Sequence, residues 1–244
     1  VLGEVGYGVF EVASDLAPEE DELEWMRQVG RETGRPVTFA CLQNNGDPTQ
    51  WQRLLAAVEE DRAAGGTLTP QVAQRPAGVL FSLESSGHPF ILHAGYQKVA
   101  QLPLAERVAA LKEPELRREI IDNPPDLTGL PEVFTATLSA WDNMFPLGNP
   151  IDYEPAPEKS VRAQAQLKGC SEAEFAYDTM LENNGKGIIY MPLLGYSNGD
   201  FEALREMMLH PNAIFGLSDG GAHCGLICDA SMPTTQLSYW ARDR

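Results

Sequence analysis

Segments with the apolar pattern of β-strands alternate with segments of helical periodicity along most of this chain. Trp51, Leu54 and Val58, for example, recur at the spacing of one face of a helix. Strands that are separated by a helix and short loops pair in parallel, because the crossover returns the chain to the same end of the sheet. We therefore predict an α/β fold in which five strands are parallel neighbours. The strands are predicted at residues 5–13, 37–42, 67–73, 187–194 and 213–217.

Two parallel architectures fit this alternation, a doubly wound sheet and a (β/α)8 barrel of the TIM type. No G-x-G-x-x-G and no G-x-x-x-x-G-K-[ST] sequence follows any predicted strand, which counts against a dinucleotide-binding or NTP-binding domain. The pattern therefore favours a piece of a barrel. Because the sequence opens inside a strand-like run without an initiator Met, we expect it to be part of a longer polypeptide.

The alternation is interrupted between residues 77 and 157, which we predict to be an irregular, proline-rich insertion. Leu104–Leu111 is predicted as one short helix within it, and Pro114 as the start of another. An excursion of this length is usually a functional element, so we expect part of it to cover the mouth of the barrel as a lid. The residues expected to reach the mouth from this lid are His88, His93, Tyr96 and Trp141.

Composition limits the classes of partner that the chain can bind. The 35 acidic and 18 basic side chains give a net charge of −17, which opposes binding to nucleic acid and to acidic membrane surfaces. The four cysteines do not form a disulfide framework, so we expect a cytoplasmic protein with reduced thiols. Cys224 and Cys228 are spaced to share a metal, but no second pair accompanies them at zinc-finger spacing.

Polar side chains stand where the predicted strands end, which is where parallel α/β proteins place their active sites. Gln43 follows the second strand, Gln71 and Gln74-Arg75 lie at the end of the third, and Tyr196 follows the fourth. We expect these side chains to face one mouth together with the residues that follow the last strand. The candidate site residues are Gln43, Gln71, Arg75, Tyr196, Ser218, Asp219 and His223.

Asp219 is the strongest catalytic candidate in this set. It follows an apolar strand and precedes Gly220-Gly221, where the backbone can approach a ligand closely. Its carboxylate can bind a divalent metal or exchange a proton with a reacting water, although Ser-Asp-Gly is also common turn chemistry. His223 suits either a pocket or a structural hydrogen bond, and Arg75 suits either a substrate carboxylate or a salt bridge.

The segment Ile214–His223, with the following residues 224–231, resembles the last-strand motif of the D-aminoacylase branch of the amidohydrolase superfamily. Further resemblance to this branch lies in shorter stretches elsewhere. These stretches are residues 34–39, 70–76, 102–108, 153–155 and 207–212. The resemblance extends over essentially the whole chain.

The resemblance implies a metal-dependent hydrolase that cleaves a non-peptide amide C–N bond, such as that of an N-acyl amino acid. Residues 1–244 would then be the C-terminal portion of one amidohydrolase barrel domain that lacks its first strands. In this family the aspartate that matches Asp219 activates a metal-bound water and protonates the leaving nitrogen, while His223 would lie in the substrate pocket. The implied substrate is a small-molecule amide, and the other implied partner is the rest of the parent polypeptide or a complementary chain. We also expect a homo-oligomer.

Two features differ from the family pattern. The sequence contains no H-x-H pair, and Gln43 and Gln71 stand at strand ends, although neutral amides are weak ligands for zinc. Either a divalent metal, with zinc as the expected ion, is bound by Asp219 and residues upstream of Val1, or the protein binds one metal loosely or none. A non-catalytic, metal-free ligand-binding relative is therefore the alternative to the hydrolase. A deaminase or cyclic-amide hydrolase would differ only in substrate.

Overall fold

The computed structural model of the chain shows an α/β protein with a parallel sheet and flanking helices. It describes residues 1–14, 16–216, 218, 225–227 and 229–244, with the backbone alone at 132–134. The described residues divide into two compact units. The first contains those of 1–77, 193–219 and 229–244, and the second contains those of 78–192 and 220–228.

The helices and strands follow one another along the whole chain. The α-helices are α1 (Leu2–Val5), α2 (Glu19–Thr33), α3 (Gln50–Ala63), α4 (Ala94–Gln97), α5 (Leu104–Leu111), α6 (Pro114–Asp122), α7 (Glu132–Thr137), α8 (Val161–Lys168), α9 (Glu172–Gly185), α10 (Glu202–Leu209) and α11 (Met232–Thr235), the last continued by a π-helix (Gln236–Asp243). The strands are β1 (Phe10–Val12), β2 (Val37–Ala40), β3 (Leu68–Val72), β4 (Ala77–Phe81), β5 (Phe145–Pro146), β6 (Ile189–Leu194) and β7 (Ile214–Phe215).

The first unit is built on a parallel sheet with the strand order β1-β2-β3-β7. Val37 and Phe39 of β2 are fully buried, as are Met26 of α2 and Leu54 of α3. Helix α2 lies against this face so closely that a Cβ at Gly30 would come within 3.7 Å of the Val37 side chain. Burial of these side chains therefore holds the helices on the sheet.

Four of the five predicted strands are confirmed as parallel neighbours. The assignment of the remaining strand, at residues 187–194, to the parallel sheet is wrong. Residues 187–194 contain β6, which lies between β4 and β5 in a separate sheet and runs antiparallel to β5. A short apolar run that is buried along most of its length carries no information about which sheet it joins. Neither sheet closes on itself within the described ranges, so a closed barrel is not seen there and the partial barrel stays a prediction.

The first predicted strand is shorter than residues 5–13, because the chain begins with helix α1 and pairs with β2 only from Phe10. Gly6 and Gly8 adopt positive φ angles of 75° and 102°. These left-handed conformations suit glycine and interrupt the extended chain before β1. The pattern of apolar residues did not show this interruption.

The second unit contains the sheet β4-β6-β5 and the helices α4 to α9. The region 77–157 is not irregular throughout, because it includes β4 and four α-helices, of which those at Leu104–Leu111 and from Pro114 were predicted. The Ser171 capping box that opens α9 is present, with the Ser171 hydroxyl accepting a hydrogen bond from the Glu174 N–H. Whether any of this region covers a mouth stays a prediction.

In the part of the chain that the structure describes, no helix combines the length and apolar character that a membrane crossing requires.

We expect Leu54→Ala to lower the free energy of unfolding by about 2–5 kcal/mol, because it leaves a cavity between α3 and the sheet. Urea unfolding followed by circular dichroism measures this loss. Leu167→Ala is the control, since Leu167 of α8 is 78% exposed and its replacement should change stability little. Equal effects of the two substitutions would contradict the position of Leu54 in the core.

Candidate functional site

Gln43, which follows β2, forms hydrogen bonds to the segment that follows β6. Its backbone oxygen accepts a hydrogen bond of 2.9 Å from the Gly195 N–H, and its Oε1 accepts one of 3.0 Å from the Ser197 N–H. Two further bonds join the same segments, from Ser197 Oγ to Asn45 Oδ1 at 2.7 Å and from Asn45 Nδ2 to the Leu193 oxygen at 2.9 Å. Residues 193–197, which include the last two residues of β6, are therefore held at the carboxyl end of β2.

Gln74 follows the neighbouring strand β3, two residues beyond its last residue, Val72. The register pairs β2 with β3 through residues 31 positions apart, as in Ala40 with Gln71, and the Cys41 N–H extends this ladder by bonding to the Gln71 oxygen at 2.8 Å. The sequence placed Gln74 with Arg75 at the end of the third predicted strand, but Gln74 was not among the candidate site residues.

Arg75 and Asp229 form a buried ion pair of 2.8 Å immediately after Gln74, with side-chain exposures of 1% and 4%. The guanidinium also donates to the Pro76 oxygen at 3.0 Å and to Ser231 Oγ at 3.2 Å. The Ser218 hydroxyl donates to the Asp229 backbone oxygen at 3.0 Å. Arg75 and Ser218, both predicted site residues, are therefore brought together by Asp229, which the sequence analysis did not identify.

Tyr196, another predicted site residue, is buried in an aromatic cluster. Its ring packs edge-on against Phe201 with centroids 6.0 Å apart, and Phe201 contacts Tyr239 and Trp240 at 5.5 and 6.1 Å. The Trp240 indole N–H donates to the Gln74 backbone oxygen at 2.6 Å. The cluster therefore lies next to both glutamines. Tyr196 is flanked by Gly195 and Ser197, which bond to Gln43, and Trp240 bonds to Gln74.

Gln71 lies within β3 instead of beyond its end, so its surroundings differ from those of Gln43. Its Nε2 donates to Glu11 Oε1 at 3.0 Å and to Thr38 Oγ1 at 2.9 Å, across the three strands β1, β2 and β3. A Cβ at Gly216 would lie 2.5 Å from Gln71 Oε1, so the glycine leaves room for this side chain. Gln71 therefore belongs to a polar row on the sheet face opposite Val37.

Asp219 and His223, together with Cys224 and Cys228, lie outside the described residues. Among the residues that are described, no three His, Cys, Asp or Glu side chains come close enough together to hold a metal ion. These residues therefore do not form the expected divalent-metal site. Cys41 is no nucleophile at neutral pH, because burial raises the pKa of its thiol to about 12.

The histidines of the predicted lid belong to the core of the second unit. His88 is fully buried, its Nδ1 accepts a hydrogen bond of 3.2 Å from the Phe90 N–H, and its ring packs edge-on against Tyr96 at 4.5 Å. Burial lowers the pKa of His88 to about 3, with smaller contributions from the charges of Arg107 and His93. Burial also lowers the pKa of His93, so both rings are neutral at pH 7.

Comparison with known proteins gives two distant structural matches. No protein-family model and no curated protein matches the chain. It is similar to a D-aminoacylase structure described for the functional role of its binuclear metal centre, with a TM-score of 0.36, 12% identity, and coverage of 88% of this chain and 33% of the other. It is also similar to a D-aminoacylase structure described as defining a novel subset of amidohydrolases, with a TM-score of 0.32, 12% identity, and coverage of 86% and 32%. The chain spans about a third of the length of these structures, and such low scores do not establish a common fold.

Asp229→Asn is expected to lower the free energy of unfolding by about 3–5 kcal/mol, because it leaves the buried Arg75 charge without its counter-ion. Urea unfolding at pH 7 measures the change. Asp243→Asn breaks the exposed Arg242–Asp243 pair and should change stability little. The double variant Arg75→Met with Asp229→Leu should recover part of the loss, and similar losses for Asp229→Asn and Asp243→Asn would argue against a buried pair.

The buried His88 should make stability depend on pH. Its folded pKa of about 3 lies below the ordinary 6.5, so the unfolded chain binds the proton at higher pH than the folded chain does. The stability that neutral His88 contributes is therefore complete above pH 6.5 and is lost as the pH falls towards 3. Urea unfolding between pH 7 and 4 should show a shallower loss for His88→Gln than for the unsubstituted protein. Identical profiles for the two proteins would contradict this assignment.

Proposed function

We propose that the protein to which this chain belongs hydrolyses the C–N bond of a small non-peptide amide, such as an N-acyl amino acid. The observation that carries this proposal is the hydrogen bond from Ser218 to the Asp229 backbone oxygen. Ser218 opens the Ser-Asp-Gly-Gly-Ala-His stretch that resembles the D-aminoacylase branch. Asp229 pairs with Arg75 just beyond β3, so Ser218 lies near the carboxyl end of that strand.

Ser218 and Asp229 therefore lie where parallel α/β proteins commonly build their active sites. The strands β3 and β7 are neighbours, and the segments that follow their carboxyl ends meet at Asp229. Active sites of parallel α/β proteins are built from such segments, because several strand ends can present side chains to one ligand. Gln43 and Tyr196 extend the same edge beyond β2, and both support the proposal as residues for binding the substrate.

The proposed chemical step places Asp219 as the group that transfers the proton. Its carboxylate takes a proton from the attacking water while the water oxygen bonds to the amide carbonyl carbon. The same proton is then delivered to the nitrogen as the C–N bond breaks, which yields a carboxylic acid and an amine. His223 would line the substrate pocket. The described residues do not form a metal site, so no step is assigned to a metal, and zinc bound by Asp219 and residues outside this chain stays a prediction.

A ligand-binding relative without catalysis is the second candidate. The neutral side chain of Gln43, committed to the Ser197 N–H, favours it, because such a group can bind a ligand but cannot exchange a proton. The two candidates differ in whether amide turnover is detected. Both place a small-molecule amide at the same edge of the sheet.

In the full-length protein we expect Asp219→Asn to lower amide turnover about 10²–10⁴-fold, because it removes the base and retains the shape of the side chain. The thermal midpoint should hardly change, whereas a purely turn-forming aspartate would lower the midpoint and leave turnover intact. His223→Asn should cost less, and Asp243→Asn serves as a surface control. Normal turnover of Asp219→Asn would rule out the proposed mechanism, and no turnover by the unsubstituted protein would favour the ligand-binding relative.

A further inference from the structure

Two buried glutamines in the first unit each retain one polar atom without a described partner. Gln43 is 0% exposed and its Nε2 has no hydrogen-bond acceptor among the described residues, while Gln74 is 3% exposed and its Oε1 has no described donor. A buried polar group that makes no hydrogen bond is costly, so such groups generally meet a partner from water, a ligand or the chain. One of these atoms is a donor and the other is an acceptor.

The backbone places the two glutamines at the same edge. Gln43 follows β2 and Gln74 follows β3, and because these adjacent strands are parallel both residues lie at the carboxyl end of the sheet. Gly195 connects the two strand ends, because its N–H bonds to the Gln43 oxygen and a Cβ on it would lie 3.3 Å from the Pro76 Cα. Its φ of 86° and this close approach suit glycine.

The orientation of the Gln43 amide is determined by its surroundings. Because Oε1 accepts the Ser197 N–H, a flipped amide would bring two donors together, so the NH2 group is the part that remains for another partner. Next to the pair lies the aromatic cluster, with Tyr196 on the Gln43 side and Trp240 bonded to the Gln74 backbone. A ligand at this place would meet a donor, an acceptor and an apolar wall.

We infer that Gln43 Nε2 and Gln74 Oε1 form a subsite that binds a neutral amide group carrying an apolar or aromatic substituent. The ligand carbonyl accepts from Gln43, and the ligand N–H donates to Gln74, so the two remaining polar atoms are matched by one planar group. A carboxylate supplies no donor, and a ketone or ester supplies only the acceptor. The inference deepens the proposed function and rests on it only in treating the bound amide as the substrate.

Phenylacetamide and phenylacetone test the subsite, because they have nearly the same shape and differ in the N–H donor. Isothermal titration calorimetry on the full-length protein should show that phenylacetamide binds about tenfold more tightly or better, since the ketone leaves Gln74 without a partner. Phenylacetate, the anionic probe, should bind more weakly than the amide. Equal affinities for amide and ketone, or no binding of the amide, would overturn the inference.

Gln74→Leu separates ligand binding from a structural role. It should abolish the preference for phenylacetamide over phenylacetone and leave the thermal midpoint of the free protein unchanged or raised, because it removes a buried polar atom that has no described partner. Gln43→Glu keeps the acceptor for the Ser197 N–H and removes the free donor, so it should weaken the binding of both phenylacetamide and phenylacetone, whose carbonyl groups both need this donor. Gln52→Leu, on the exposed side of α3, is the matched control and should keep the preference.

The outcomes for this subsite and for the proposed function are distinct. A protein that prefers the amide in binding but never hydrolyses one supports the subsite and contradicts the hydrolase. A protein that hydrolyses amides while Gln74→Leu keeps the preference, or lowers the midpoint, supports the hydrolase and assigns Gln74 a structural role. Turnover of phenylacetamide is therefore measured on the same samples as binding.

Discussion

The carboxyl edge of the first sheet depends on the ion pair between Arg75 and Asp229. The two residues are 154 positions apart in the chain, and their contact joins the segment after β3 to the segment before α11. Desolvating two charges offsets much of their attraction. The pair therefore contributes more to the positioning of these two segments than to the net stability of the fold. Because the Asp229 backbone oxygen accepts from Ser218, the same contact also fixes the segment that follows β7.

The parts of the fold that could be predicted are those that depend on local physics. The helical spacing of Trp51, Leu54 and Val58 and the capping box at Ser171 involve residues close in the sequence, and both correspond to helices in the structure. Sheet membership depends on distant partners. The run 187–194 was correctly predicted as a strand but wrongly assigned to the parallel sheet, because its apolar residues fit either sheet equally well.

The residues of the candidate site could also be predicted only in part. A polar residue just after a buried strand indicated Gln43, and the structure places it at the expected strand end. Gln71 and Gln74 could not be distinguished from the sequence, because the choice depends on where β3 ends, and β3 ends at Val72 through its pairing with β7. The partner of Arg75 could not be predicted at all, since no periodicity relates it to Asp229.

The charges at this edge favour a neutral amide group over a carboxylate as the group that the two glutamines bind. Asp229 already balances the guanidinium of Arg75, so a substrate carboxylate would have to displace a buried partner to reach it. Amide groups carry no net charge and avoid this cost, yet they still supply the donor and the acceptor that the two glutamines lack among their described neighbours. Selection at the ends of β2 and β3 therefore rests on matching hydrogen bonds, which reject a wrong ligand by leaving a buried partner unsatisfied.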